Sequence, residues 1–219
     1  MFLVAAATSF EMDAFLRACP PALPFTSLIT GVGPVEAAVR LTAFVAQSAV
    51  RFQGVVNFGV AGAYCREEGG ADLLDLCLAE REILGDLGVC HGEEIELLRG
   101  GSLEIVDAFE LDRSLLSRAA AVLVSSSVPF HCGPFVTVSC VSGSRRRGAL
   151  LAQTHQALCE NMEGAAAARV CQQFALPLLE LRCISNLVEE RDLQSWRLRE
   201  ACARCGEVAA AVVKGLSHV

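Results

Sequence analysis

Two short segments of this chain carry the residue types best suited to chemistry. Glu160-Asn161-Met162-Glu163-Gly164 reads as the opening of a helix, and Arg182-Cys183-Ile184-Ser185-Asn186 as the end of a strand. Together they place a carboxylate and an amide at the carboxyl edge of a predicted parallel sheet, where open α/β folds bind ligands. A carboxylate can grip paired sugar hydroxyls, and an amide can hydrogen-bond a purine edge, so the pairing suits a nucleoside. Glu11 stands one turn past the first predicted strand, at the same sheet edge. An isolated Glu at a helix start commonly caps or faces the helix dipole, and Glu163 has the same bland alternative. The coincidence of Glu11, Glu163, Arg182 and Asn186 at strand exits and helix entrances favours an active site.

These residues need a framework, and apolar runs supply it. Residues 2–7, 25–30, 55–60, 135–141 and 178–184 read as buried strands, and 72–84 and 93–99 as extended strands. Helical patterns follow around Phe10, Ala14 and Phe15, from Pro34 through Val35, Val39, Leu41 and Val45, and over 109–124, 161–174 and 192–216. Ala61-Gly62 is expected to close the third strand, and Gly143 to begin a polar loop. The alternation predicts an α/β three-layer sandwich over residues 1–219, one domain with a mixed central β-sheet flanked by helices.

Composition narrows the function classes. With 53% apolar and only 6% aromatic residues, the core must be built from Ala, Val and Leu, with surplus apolar surface for a subunit interface. A net charge of -7 disfavours nucleic acid and anionic lipid, and no apolar run is long enough to span a bilayer, so neither a nucleic-acid nor a membrane partner is expected. The N-terminus lacks a basic region, and Glu11 and Asp13 interrupt it early for a signal peptide. Eleven irregularly spaced cysteines suit reduced thiols in a cytoplasmic protein.

Three further motifs carry weaker signals. Gly31-Val32-Gly33 lacks the third glycine and the acidic strand end of a dinucleotide site, so a tight turn near a ligand is the better reading. Cys202-Ala203-Arg204-Cys205 has no second ligand pair, and His91, His131, His155 and His218 share no spacing with it, so no metal or other cofactor is expected. Arg145-Arg146-Arg147 suits an anion or, more commonly, a solvated loop.

With these residues assembled, the chain resembles the bacterial purine nucleosidase and phosphorylase superfamily typified by methylthioadenosine/adenosylhomocysteine nucleosidase, and within it the futalosine hydrolase branch of menaquinone biosynthesis. The resemblance is carried by Ala6-Ala7-Thr8-Ser9-Phe10-Glu11, Gly31-Val32-Gly33, Asn57 to Gly62, Asp86-Leu87-Gly88, Val141 to Ser144, Glu160 to Ala166 and Arg182 to Asn186. It implies hydrolysis of a purine nucleoside's N-glycosidic bond, with Glu11 as general base, Arg182 helping to hold the water, Glu163 on the ribose hydroxyls and Met162 against the sugar. Ser185, Ala61 and Gly62 join the substrate site. Asn186 stands where adenine-specific relatives carry an Asp, and its two N–H donors suit the N7 and O6 acceptors of hypoxanthine, the base of futalosine. Trp196, the sole tryptophan, is expected over the 5' substituent or, alternatively, as a helix-packing anchor. The run Arg145–Arg147 falls where relatives cover the purine with apolar side chains. A homodimer is implied, the partner closing the 5' side around Asp86-Leu87-Gly88. The competing readings are a nucleosidase for methylthioadenosine, adenosylhomocysteine or aminofutalosine, a phosphorolytic enzyme, and a silent nucleoside-binding protein.

Overall fold

Strand β1 (Phe2–Ala6) is buried on both faces, as its unbroken apolar run requires. The computed structural model describes residues 1–65, 69–98, 104–189 and 191–217. Strand β2 (Phe25–Ile29) flanks β1, and β3 (Val55–Tyr64) lies on its other side, both parallel to it. Strand β10 (Leu178–Val188) runs parallel to β3 along its length. β4 (Leu76–Leu84) is antiparallel to β10 and parallel to β8 (His131–Thr137), which pairs with β9 (Cys159–Asn161). Because β9 returns to β3 at Gly62 and Ala63, these five strands close a circuit. β7 (Ala108–Glu110) pairs with β4, and β5 (Gly88–His91) with β6 (Glu94–Leu97) forms a separate hairpin.

Helices cover both faces of this mixed sheet. Side chains of α1 (Ser9–Ala18), α3 (Arg113–Ser125) and α6 (Leu198–Ser217) meet Val4, Val56, Phe58 and Leu181 on one face. On the other, α2 (Pro34–Gln47) and the Ala-rich α5 (Gly164–Gln173) pack on Leu3, Ala5 and Val55. Small side chains let α5 approach the strands closely, and four consecutive alanines of it, Ala165–Ala168, are buried. The α/β three-layer sandwich is the expected one.

Several boundaries differ from the sequence reading. β3 continues through Ala61-Gly62 to Tyr64, because β9 and β10 supply partners on both sides. β8 ends at Thr137 rather than at 141, and the helix expected from 161 begins only at Gly164, since Glu160 and Asn161 pair in β9. Arg145 to Arg147 open α4 (Arg145–His155), capped by Ser144, instead of lying in a loop. Residues 192–197 precede α6 rather than belonging to it, and the helix of 109–124 starts at Arg113 after β7. Residue 99, the end of the segment read as 93–99, and His218 lie outside the described residues.

Candidate active site

The carboxyl ends of β1, β3 and β10 surround a cavity of about 430 Å³, and the residues singled out from the sequence meet there. Glu11, Arg182 and Asn186 line it, with Glu163 and Met162 from the turn before α5. So do Ser185, Ala61, Gly62 and Trp196.

Glu11 has the capping role as well as a place in the cavity. Thr8 caps α1, and Glu11 at the third helical position completes a capping box. The Thr8 N–H and hydroxyl donate to Glu11 Oε2 at 3.0 and 2.7 Å, and Val60 N–H donates to Oε1 at 3.1 Å. Glu163 makes no cap with its side chain. Its Oε1 accepts from Gly33 N–H at 3.0 Å, where the φ of +92° at Gly33 is one that glycine tolerates, and Oε2 lies 3.5 Å from Arg182 Nη1. The Gly31-Val32-Gly33 turn thus approaches the site by holding the Glu163 carboxylate. Burial raises the Glu163 pKa, while Arg182 and the Gly33 N–H pull it down and Glu11 and Glu180 push it up.

Arg182 is only 2% exposed. Its Nε and Nη2 donate to Glu180 Oε1 at 2.9 and 2.7 Å, because residues two apart on a strand share a face. Burial alone would lower the Arg182 pKa; Glu180, then Glu163 and Glu11, more than reverse it and fix the guanidinium as a cation.

Asn186 is aimed by a bulge. Register shifts between Ile184 and Asn186, so Ser185 is the extra residue and Asn186 comes opposite Gly62. A Cβ on Gly62 would stand 3.0 Å from Asn186 Nδ2, so the glycine makes room for the amide. The Ser185 hydroxyl donates to Asn186 Oδ1 at 2.9 Å, which leaves Nδ2 as the donor end, with Leu187 O as a 3.3 Å acceptor.

Residues 22–217 fit the model of the phosphorylase superfamily. The chain belongs to that superfamily. It is 35% identical to futalosine hydrolase of Thermus thermophilus over 81% of this chain and 76% of the relative, and 33% identical to that of Streptomyces coelicolor over 92% and 90%. Among solved structures, a Helicobacter pylori 5'-methylthioadenosine/S-adenosylhomocysteine nucleosidase mutant with 5'-methylthioadenosine in its active site superimposes with a TM-score of 0.83 at 21% identity, covering 97% of each chain.

This phosphorylase-superfamily chain also uses Glu160 and Asp86 as loop anchors, a role the sequence reading did not give them. Glu160 accepts from the Ser142 N–H and hydroxyl, each at 2.7 Å, and Asp86 Oδ2 accepts from Ser139 N–H at 2.7 Å. Those two carboxylates hold the 139–142 loop, whose Val141 lines the cavity. Val141 therefore brings an apolar side chain to the cavity wall. None of the three arginines lines the cavity: Arg146 pairs with Glu93 and Glu94, Arg147 lies 3.9 Å from Asp86, and Arg145 lines a separate groove. Only the Glu11 partnership had a local sequence signal, the Thr8-x-x-Glu11 spacing.

Trp196 lies at the cavity wall before α6, with the Arg191 guanidinium 5.8 Å from its ring centroid. Cys202 also lines the cavity, and burial pushes its thiol up to about 12, so it is a neutral wall rather than a nucleophile. Cys205 is buried and donates to Gly59 O at 3.0 Å. Among the described residues no cluster of His, Cys, Asp and Glu has the arrangement of a metal site, and no helix is long and apolar enough to cross a membrane.

Proposed function

We propose that this enzyme hydrolyses the N-glycosidic bond of futalosine and releases hypoxanthine, the step of menaquinone biosynthesis to which the resemblance points. The observation that carries the base assignment is Asn186: Ser185 occupies its oxygen and Leu187 O takes one N–H, so the group it turns to a base is the other N–H of Nδ2. An amide presenting N–H groups suits N7 and O6 of a 6-oxopurine, whereas adenine offers an acceptor beside an amino donor. The two curated futalosine hydrolase relatives support the same choice.

As the C1'–N9 bond breaks, its electron pair leaves with the base and the ribosyl group becomes oxocarbenium-like. Asn186 donates to the charge developing on the purine. Water attacks C1' from the opposite face and gives its proton to Glu11, whose oxygens are held by Thr8 and Val60. Glu163, anchored by Gly33 and Arg182, accepts from the ribose hydroxyls, and Met162 packs against the sugar. Arg182 helps hold the water. Its pairing with Glu180 and Glu163 leaves it poorly suited to a phosphate nucleophile, which supports hydrolysis over phosphorolysis. Ala61 and Gly62 shape the base end, and Trp196 covers the 5' tail.

Residues 1–219 act as one nucleosidase domain in the cytoplasm, where eleven free thiols are expected to persist. The working unit is a homodimer. Val35 and Val39 on α2 are 72% and 59% exposed, and the exposed Val32 and Phe10 continue that apolar surface into the cavity rim. A second copy seated there covers the open side of the site; Leu87, in the segment that the resemblance puts against the partner, is also exposed.

The test is incubation of purified protein with futalosine, aminofutalosine and methylthioadenosine, with and without phosphate, and chromatographic identification of the base. Hypoxanthine from futalosine without phosphate is expected. Strict phosphate dependence, or release of adenine alone, contradicts the proposal.

A further inference from the structure

Behind the ribose-side carboxylate lies a dry cluster with more acid than base. Glu82 of β4 and Glu180 of β10 are fully buried, and both carboxylates converge on Gly164, where a Cβ would clash with Glu82 Oε1 and stand 2.6 Å from Glu180 Oε1. Arg182, the cation beside them, has its Nε and Nη2 on Glu180 and its Nη1 towards Glu163. Two like charges this close in a water-free interior are not both sustained, and one carboxyl keeps its proton.

The hydrogen-bond network offers Glu82 a place for it. Thr137 Oγ1 stands 2.7 Å from Glu82 Oε2 and 3.3 Å from Asn161 Oδ1, two acceptors, while already accepting from Ala165 N–H at 2.7 Å. A hydroxyl has one proton, so it cannot donate to both. If Glu82 Oε2 carries the proton and donates to Thr137, the Thr137 hydroxyl is free to donate to Asn161 Oδ1. Glu82 Oε1 meanwhile accepts from Asn161 Nδ2 at 2.6 Å. Asn161 Oδ1 in turn accepts from the backbone N–H of Glu163 at 2.9 Å and of Gly164 at 2.7 Å, with Arg182 Nη2 a third donor at 3.4 Å, which fixes the backbone from which Glu163 reaches the cavity. We propose that Glu82 is a positioning residue that works as a neutral carboxylic acid, donating through Thr137 to Asn161 so that Glu163 is held in place.

Burial drives the Glu82 pKa well upward, and Glu180 adds to it, against smaller opposing pulls from Thr137, Arg182 and Asn161. The other charged or titratable groups around the pair are Glu163, Glu11, and the buried thiols of Cys159 and Cys171. Both thiols are pushed up by burial and remain neutral. The arrangement therefore balances one Arg182 cation against Glu180, with Glu11 and Glu163 left to face the sugar.

Two measurements test this. Infrared spectra at neutral pH should show the carbonyl stretch of an undissociated carboxylic acid that disappears in Glu82→Gln and persists in Glu11→Gln. A wild-type spectrum without that band, or a band that survives Glu82→Gln, overturns the proposal. In kinetics, Glu82→Ala should lower kcat/KM about tenfold or more, as a misplaced binding group does. Glu82→Gln, whose amide N–H replaces the acid proton toward Thr137, should rescue most of that loss. Equal impairment in a folded Glu82→Gln variant overturns the proposal too. The kinetic arm rests on the hydrolase reading above; the infrared arm does not, so failure of one reading is distinguishable from failure of the other.

Discussion

Glu11 occupies the space that a side chain on Gly59 would need: a Cβ built there would lie 2.5 Å from Glu11 Oε1 and 2.9 Å from Arg182 Nη1. Gly59 and Arg182 are register partners on β3 and β10, so the glycine opens the gap through which two charged groups from separate elements meet. Gly59→Ala is expected to cost about 1–3 kcal/mol of stability through overpacking. The larger effect is on turnover, which should fall about 100-fold as Glu11 and Arg182 are displaced. Thermal melting with steady-state kinetics checks this; a folded variant with wild-type kcat contradicts it.

For Glu11→Gln the fold and nucleoside binding should survive, and turnover should drop by about 10²-fold or more because the base is lost. The amide keeps one acceptor for the donors that now hold the carboxylate, Val60 N–H and Thr8. Binding measured by calorimetry beside single-turnover rates separates the two effects. Retention of more than about a tenth of wild-type turnover removes Glu11 from the role of base.

Asn186→Asp should invert base preference. The side chain gains an acceptor and a titratable proton, suiting a 6-aminopurine, while a carboxylate oxygen would face O6 of a 6-oxopurine. The ratio of kcat/KM values for futalosine and aminofutalosine is the readout, and an unchanged ratio defeats this account of selection.

The raised Glu82 pKa has a consequence for stability against pH. The folded state keeps a proton that the unfolded chain releases near pH 4.3, so stability falls as pH climbs from there towards the folded value. The slope for one such group is about 1.4 kcal/mol per pH unit. Glu82→Gln removes this dependence, so the variant's stability relative to wild type should rise as pH climbs above about 5 in urea titrations. Parallel curves for the two proteins contradict a neutral Glu82.

Subunit association is read by light scattering at micromolar concentration. A homodimer is expected, with an interface of at least ~2,000 Å². Val35→Glu combined with Val39→Glu should give a monomer with reduced activity, since both residues lie on the exposed face of α2. A fully active wild-type monomer contradicts the dimer.

The cavity's members were legible in the sequence through their neighbours: Glu11 and Glu163 stand at the starts of α1 and α5, and Arg182 and Asn186 lie in β10 after the apolar run that opens it. The supporting cluster was not. Thr137, Asn161, Glu82 and Glu180 come from four separate strands, β8, β9, β4 and β10, and nothing local marks a buried Glu in a strand as the partner of a distant amide. β9 was missed because three residues are too few to show a period, and α4 because its first turn is three arginines. The exposure of Val35 and Val39 also breaks the usual reading of apolar helix positions as core, which fits a face that another chain covers.

The central claim is a water-dependent nucleosidase selective for a 6-oxopurine, and the kcat/KM of the wild-type enzyme for futalosine against aminofutalosine tests it most directly. The two substrates differ at the C6 edge of the purine, the edge that Asn186 is proposed to meet. A preference for futalosine of about tenfold or more, undiminished without phosphate, is predicted from one buried hydrogen-bond mismatch in the competitor. Equal specificity constants, or a preference for aminofutalosine, would contradict it.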